Sequence, residues 1–474
     1  MKLKAIVASL VTLGLSGPVL AMEPYMMDPS YQMDVMRDQV NKVDMIIDRN
    51  QPGGFDQPCG WTCRINISGW INTDAYLAND PPVFWHPNPA FNPLAPVNYA
   101  STPPNVLALP TSGRASDLLL NNANLFVDAR VNNWVTANMS VVYSSLAGIP
   151  GSTGPYSVPN SLLVYHPLNR TAIDTAYATI GNFQASPIYF RVGKEYIPFG
   201  AYDPYGFVTQ ENPTQLLTEI NATAAQLGFI VPNGLYGSLY TFAGKSMISD
   251  GGATRRIQNG GVDLGWGFKW FNSKFNINAG YIANVADSNF LSSYYLNSIV
   301  EGTTAPGLPN EKVPAWNFNA DVTFGPFDAN GHYVQTTRIL ESPVFLSGRS
   351  ASNFPILNSP AELGKPILWG LEAGLTFPVM AHQSRVAIGY QQTTHLATFL
   401  PQRRIYADYM VNFAKWFDLG IAIFQDRDYD IGEGAITRTV ANTNNRSAIG
   451  TIAHNGATGN KSTVGQLRAS IKFA

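Results

Sequence analysis

Trp134-Val135-Thr136-Ala137-Asn138-Met139-Ser140-Val141-Val142-Tyr143-Ser144 has two unlike faces. Val135, Ala137, Met139, Val141 and Tyr143 alternate with Thr136, Asn138, Ser140 and Ser144, and Val142 is the one apolar breach of the polar face. Period-two alternation marks a β-strand with one dry and one wet wall. The same alternation returns about every 25 to 30 residues up to the C-terminus, which is how a chain that puts lipid on one wall and water on the other is written.

Composition agrees. The 474 residues carry 13% charged and 12% aromatic side chains, where a soluble chain has about 25% charge. Mean hydropathy is near zero, and past the N-terminus no apolar run reaches the ~18 residues of a membrane-crossing helix. A net charge of -2 excludes the basic footprint of a nucleic-acid binder.

The pattern predicts an all-β transmembrane antiparallel barrel of about 16 strands, preceded by a short N-terminal periplasmic helix. Residues 1–21 read as a signal peptide: Lys2 and Lys4, an apolar run, then Val19-Leu20-Ala21. Residues 22–63 form a helical segment and a Cys-containing linker, and 64–474 form the barrel. In the helix, Met33, Met36, Val40, Val43 and Ile47 follow heptad spacing. That seam fits assembly of a homo-oligomer, or a helix docked on the barrel. Cys59 and Cys63 are expected to form a local disulfide in an exported chain; a metal pair is the sharper alternative, with no His nearby to complete it.

Strands are expected near 64–77, around 123–131 and 134–144, near 172–182 and 187–196, up to 230, and on to 462–473. Tight connections follow strands 2, 6, 8, 12 and 14, and long ones follow 1, 3, 5, 9, 11 and 15, as in barrels with short periplasmic turns and long outer loops. The short Leu400-Pro401-Gln402 connection after strand 13 is an exception. A secreted sandwich would instead bury its apolar faces.

By parity, the inward acids are Asp74, Asp128, Glu195, Asp263, Asp321, Glu372, Asp408 and Asp418, and the inward bases are Arg130, Arg191, Lys269, Arg385 and Arg404. They either set a transverse field for polar solutes or pair across the wall. The loop after strand 5, Tyr196-Ile197-Pro198-Phe199-Gly200-Ala201-Tyr202-Asp203-Pro204-Tyr205-Gly206-Phe207, is aromatic and nearly uncharged. It either folds into the pore or packs at the surface. Candidate pore or ligand residues are therefore Asp128, Arg130, Arg191, Lys194, Glu195, Tyr196, Phe199, Tyr202, Arg385, Arg404 and Asp408. No nucleophile motif, metal-ligand motif or nucleotide-binding loop occurs, so neither an enzyme nor a cofactor is expected.

Val192-Gly193-Lys194-Glu195-Tyr196-Ile197-Pro198-Phe199-Gly200 resembles the Val-Gly-Arg-Gln-Tyr-Val-Pro-Phe-Gly segment of the LbtU-type outer-membrane siderophore porins. Ala176–Phe183 and Thr223–Phe229 resemble the flanking strands of that family, and Lys194-Glu195 departs from its Arg-Gln. The resemblance implies a bacterial outer-membrane location, lipid as surroundings, and uptake of a ferric siderophore or similar small polar solute without a TonB-type plug. The span 22–63 is too short for such a plug. A general or anion-preferring diffusion porin and a surface-interaction barrel are the alternatives.

Overall fold

The structure, a computed structural model, describes residues 64–79, 114–132, 134–144, 170–183, 185–200, 213–231, 233–244, 257–271, 273–289, 291–292, 312–340, 364–380, 382–396, 400–427, 429, 435–438, 452–455 and 461–473. The expected signal peptide, heptad helix, Cys59–Cys63 bridge and Tyr202 lie outside them.

Sixteen strands close into one antiparallel barrel: β1 (Ile65–Asn79), β2 (Arg114–Arg130), β3 (Val135–Ser144), β4 (Arg170–Gly181), β5 (Ile188–Tyr196), β6 (Asn221–Ile230), β7 (Leu235–Ala243), β8 (Ile257–Trp270), β9 (Ser273–Ile282), β10 (Ala315–Phe324), β11 (Phe327–Thr336), β12 (Ile367–Val379), β13 (His382–Thr394), β14 (Arg403–Ala414), β15 (Phe417–Arg427) and, at the end of the chain, β18 (Lys461–Phe473). Each pairs with its sequence neighbour. β18 pairs with both β15 and β1, so no edge remains. Between β15 and β18 a separate ribbon, β16 (Ala435–Arg438) and β17 (Ile452–Asn455), stands apart from the wall; the alternation had not singled it out. A short helix, α1 (Pro213–Thr218), follows β5. No helix among the described residues is long and apolar enough to cross a membrane.

The expected count of 16 holds. All seven connections after even strands up to β14 are two to six residues long, so Asn182–Pro187 and Gly325–Pro326 join the short-turn side. Asn132 shapes one of these turns, its Oδ1 accepting from the backbone of Trp134 at 2.8 Å and Val135 at 3.0 Å.

The apolar face looks outward. Met139, Ile188, Val192, Leu239, Leu264, Leu371, Ile388 and Ile423 are all exposed, whereas Ser140, Asn276, Asn278, Glu372, Asp408 and Gln466 are buried inside. A sandwich would show the reverse. Val142, the breach in the polar face of β3, is buried on the inner side.

Aromatic side chains mark both rims of the apolar band. Trp134, Trp270, Phe271, Phe324, Phe327 and Trp416 are exposed at the short turns. Near the loop ends, Tyr281 pairs with Trp316 and Tyr333 with Trp369 in register, and the Trp369 ring lies 5.3 Å from that of Tyr390. Along β10, Trp316 and Phe324 are eight residues apart, about 27 Å along the strand and about 20 Å along the axis at a tilt of about 40°, near the ~25 Å apolar band of outer-membrane barrels.

The seam between the first and last strands is polar inside. Arg468 Nε and Nη2 each donate to Asp74 at 2.7 Å, Gln466 adds a 3.0 Å bond to the same carboxylate, and Ser470 donates to Asn72. Asp74 is 0% exposed. Arg468→Ala should strand that carboxylate, which costs about 3–5 kcal/mol for a buried pair. The temperature at which the folded form loses its compact gel mobility is expected to fall clearly in R468A; an unchanged transition would contradict the closure staple.

Candidate functional site in the barrel interior

β5 leaves the wall after Tyr196, and five residues of the Val192–Gly200 segment have a structural task. Gly193 has φ +139°, and a Cβ there would stand 2.3 Å from the Ala176 carbonyl oxygen and 2.5 Å from Tyr177 Cα. Only glycine fits. The Tyr196 hydroxyl donates to Asp174 Oδ1 at 2.6 Å, and Ile197 N–H donates to the Ile220 carbonyl at 2.9 Å. Phe199 is fully buried in an apolar cluster with Ile197, Leu217 and Ile220. Gly200, at φ +84°, leaves room for Thr218, which a Cβ would meet at 2.4 Å. The motif is thus a device that turns the chain from the wall toward the lumen.

The described part of this loop lies inside. Thr214 and Thr218 of α1 are buried, Thr218 Oγ1 donates to the Thr214 carbonyl at 2.7 Å, and Thr214 hydrogen-bonds His332 Nε2 on β11. That contact reaches five strands around the wall. Inward residues at the loop-side ends of the strands are apolar to receive it: Ala222 and Ala224 on β6, Phe242 on β7, Ile282 on β9, Ala315 on β10, Val334 on β11 and Leu368 on β12. The outer half of the interior along these strands is a packed apolar core.

Toward the turns the inner wall is polar, and its charges are mostly matched. Arg385 Nη2 donates to Asp328 at 2.5 Å and to Glu372 at 2.6 Å, and the Tyr406 hydroxyl donates to the same Glu372 at 2.7 Å. On the loop side, where β14 begins and β15 ends, Arg404 makes a two-pronged pair with Asp426 at 2.7 and 2.8 Å, with the Phe424 ring 4.5 Å away. Arg191 donates to Glu195 at 3.2 Å and to Thr179 at 3.1 Å, with the Tyr177 ring 4.7 Å from its guanidinium carbon. Lys472 lies 2.6 Å from Asp418. Two-pronged arginine–carboxylate pairs fix geometry as well as charge. Asp263 accepts from Asn278 at 2.6 Å and Asp321 from Asn276 at 3.2 Å, so the β8–β10 wall meets its acids with amides instead.

Of the residues singled out from sequence, Arg191, Glu195, Tyr196 and Phe199 come together at the exit of β5. Arg385, Arg404 and Asp408 share the β13–β14 inner wall. Asp128 accepts from Asn138 near the turn between β2 and β3, and Arg130 sits beside it, opposite Thr136. Lys194 lies on the other face of β5, with Phe190 and Val192, and donates to the Ile173 carbonyl. Asp174, Asp328, His332, Asp426, Arg468 and Lys472 were not singled out. Parity alone reaches several of them: Asp426 follows Phe424, Ala422 and Gly420, and Arg468 follows Gln466 and Val464 on the buried face.

No family model matches the chain. A UPF0422 protein of Legionella pneumophila (strain Philadelphia 1) is 26% identical over 322 residues, 67% of this chain and 55% of that one. A UPF0422 protein of Coxiella burnetii is 24% identical over 329 residues, 68% and 62% respectively. The chain thus spans little more than half the length of the first of these relatives. Among solved structures, an anion-selective porin from Comamonas acidovorans is similar with a TM-score of 0.47 at 8% identity, covering 86% of this chain and 99% of that one. The outer membrane channel DcaP of Acinetobacter baumannii gives 0.46 at 11%, with 86% and 97% covered. At such scores the barrel rests on its own strand pairing.

Gly193→Val should cost about 1–3 kcal/mol from the backbone conformation alone, before the clash with Ala176. Thermal unfolding of the purified barrel in detergent checks it: an earlier transition is expected, and parental stability would contradict the strained exit.

Proposed function

We propose that the chain is a bacterial outer-membrane barrel that admits a small polar solute through its interior, with a ferric siderophore as the specific cargo. The observation that carries the channel reading is the closed sixteen-stranded wall, apolar outside and polar inside. Sixteen strands are the size at which barrels leave an aqueous path rather than a filled core. An irregular loop inside the wall is tolerated in a membrane because it is buried in protein or lines a cavity. The N-terminal segment would serve a homo-oligomer.

The siderophore part rests on the resemblance of 172–230 to the siderophore porins. A chelated ferric ion arrives with its ligands, so no His or Cys cluster is required of the wall. Passage would be passive, with loops selecting the cargo and no hydrolytic step. A second reading, a general or anion-preferring diffusion porin, is favoured by one feature: the motif shared with siderophore porins is occupied by folding tasks at Gly193, Tyr196, Phe199 and Gly200.

A strain lacking the gene, grown with a ferric siderophore as sole iron source, separates the two. Loss of growth, restored by the gene, is the expected outcome. Unimpaired growth on every siderophore that the parent uses would leave the diffusion-porin reading standing. In reconstituted channels, Arg385→Gln leaves Asp328 and Glu372 without their cation. The reversal potential in a salt gradient should move toward cation preference, and an unmoved potential would place that triad off the conduction path.

A further inference from the structure

The amides on the inner face of β9 and β10 next to Asp263 fit together in one orientation only. A carboxylate accepts and does not donate, so Asn278, 2.6 Å from Asp263 Oδ1, turns its Nδ2 to that acid. Its Oδ1 is then an acceptor, and it receives Asn319 Nδ2 at 3.3 Å and Asn317 Nδ2 at 3.5 Å. Turning either amide over would set two acceptors face to face. The donors therefore all run toward Asp263, and the far end of the network presents the carbonyl oxygens of Asn317 and Asn319. Asn317 is 1% and Asn319 7% exposed, and neither oxygen has a hydrogen-bond partner.

The surroundings select what can meet these oxygens. Asp263 on β8 and Asn317 on β10 stand in register on either side of Gly280. A Cβ at Gly280 would lie 2.4 Å from Asn317 Oδ1, so that oxygen lies over the glycine, on the side of Asp263. Acceptors that share a space without a donor between them are costly when buried. Ser238 on β7, opposite Asp263 in the same row, is also buried with its hydroxyl unpartnered. Nearer the turns Asp321 adds a second acid, met by Asn276 at 3.2 Å. Among the described residues, the inner face of β8 to β11 carries no lysine or arginine besides Lys269 and Lys274, which oppose each other at the turn. A sector of acids and amide oxygens attracts positive charge.

We propose that Asn317 and Asn319, beside Asp263, form a subsite for the ammonium group of a solute in the lumen. This rests on the channel reading and names the chemical group that the interior holds. An ammonium group is a cation with three N–H donors and no acceptor, the complement of two carbonyl oxygens backed by a carboxylate. Hydrogen bonds to a charged partner are the strong kind. Ala315, Ile282 and Val334 border the subsite and keep water from that side, which strengthens such bonds further.

The full chain in an uncharged detergent would be titrated by calorimetry with three probes: cadaverine, a diammonium; pentanediol, its neutral counterpart; and tetramethylammonium, a cation without N–H donors. Cadaverine is expected to bind, and the other two to give no saturable heat. Asn317→Ala, Asn319→Ala and Gly280→Ala, the last by displacing the Asn317 oxygen, are each expected to weaken cadaverine about tenfold. Compact gel mobility before heating would report that each variant is folded; if one fails to fold, the other two carry the test. No heat with cadaverine would mean that water alone meets these oxygens, and would overturn the subsite. Equal binding of tetramethylammonium, which needs only the field of the acids, would overturn it too, as would unchanged affinity in the folded variants. Single-channel recording with the same probes separates the subsite from the channel. A barrel that conducts but binds no cadaverine loses the subsite alone, and one that binds cadaverine but never conducts loses the channel reading alone.

Discussion

A sheet in hydrocarbon has no water to satisfy a free edge, and each unpaired backbone group there costs several kcal/mol. Closure is the constraint on which the rest depends. It forces β18 beside β1 across almost the whole length of the chain, and the seam is reinforced from within by Arg468, Gln466 and Ser470 on Asp74 and Asn72. A buried arginine–carboxylate pair is a weak source of net stability. Its directional geometry suits it to choosing a register, because a one-residue slip would send Arg468 into lipid and Leu467 into the lumen.

Closure also divides the side chains between two solvents. Outside, the apolar band and its aromatic rims match a bilayer. Inside, the loop-side ends of β6, β7 and β9 to β12 carry an apolar core, while the rest of the wall, including the Arg404–Asp426 pair at the loop-side ends of β14 and β15, carries matched charges and amides. The two halves do different work. The apolar half holds inward-folded chain in place by taking Ile197, Phe199 and Leu217 out of water. The polar half presents Arg385, Asp328 and Glu372 in a fixed array, with little freedom to rearrange as a solute passes.

The strand count was legible because outward and inward residues differ sharply over most of the wall, as in β8, β10 and β12. Contrast fails where both faces are apolar or small. In β6, Ala222 and Ala224 point inward beside outward Thr223 and Ala225, so the pattern alone hides the core they join. Inward folding of the loop after β5 was one of two options because its residue types suit a packed surface equally well. What decided it was Thr214 reaching His332, a contact between residues 118 apart that no local pattern encodes. Pairing of the lumen charges was legible as a possibility for the wall as a whole. Its particulars, such as Arg404 choosing Asp426, depend on register, which a lone sequence states only through parity. Lys194 shows the limit of proximity: it sits beside Glu195 in the motif yet alternates to the other face.

The claim that one wall of each strand meets water and the other meets lipid is tested most directly on β3. In a background with Cys59→Ser and Cys63→Ser, single cysteines would replace Thr136, Asn138, Met139 and Val141, and the protein would be probed in lipid vesicles with a membrane-impermeant thiol reagent and a lipid-borne quencher. The account predicts that positions 136 and 138 react from the aqueous side while 139 and 141 are seen only from the lipid. Equal reactivity at all four, or the opposite alternation, would contradict it.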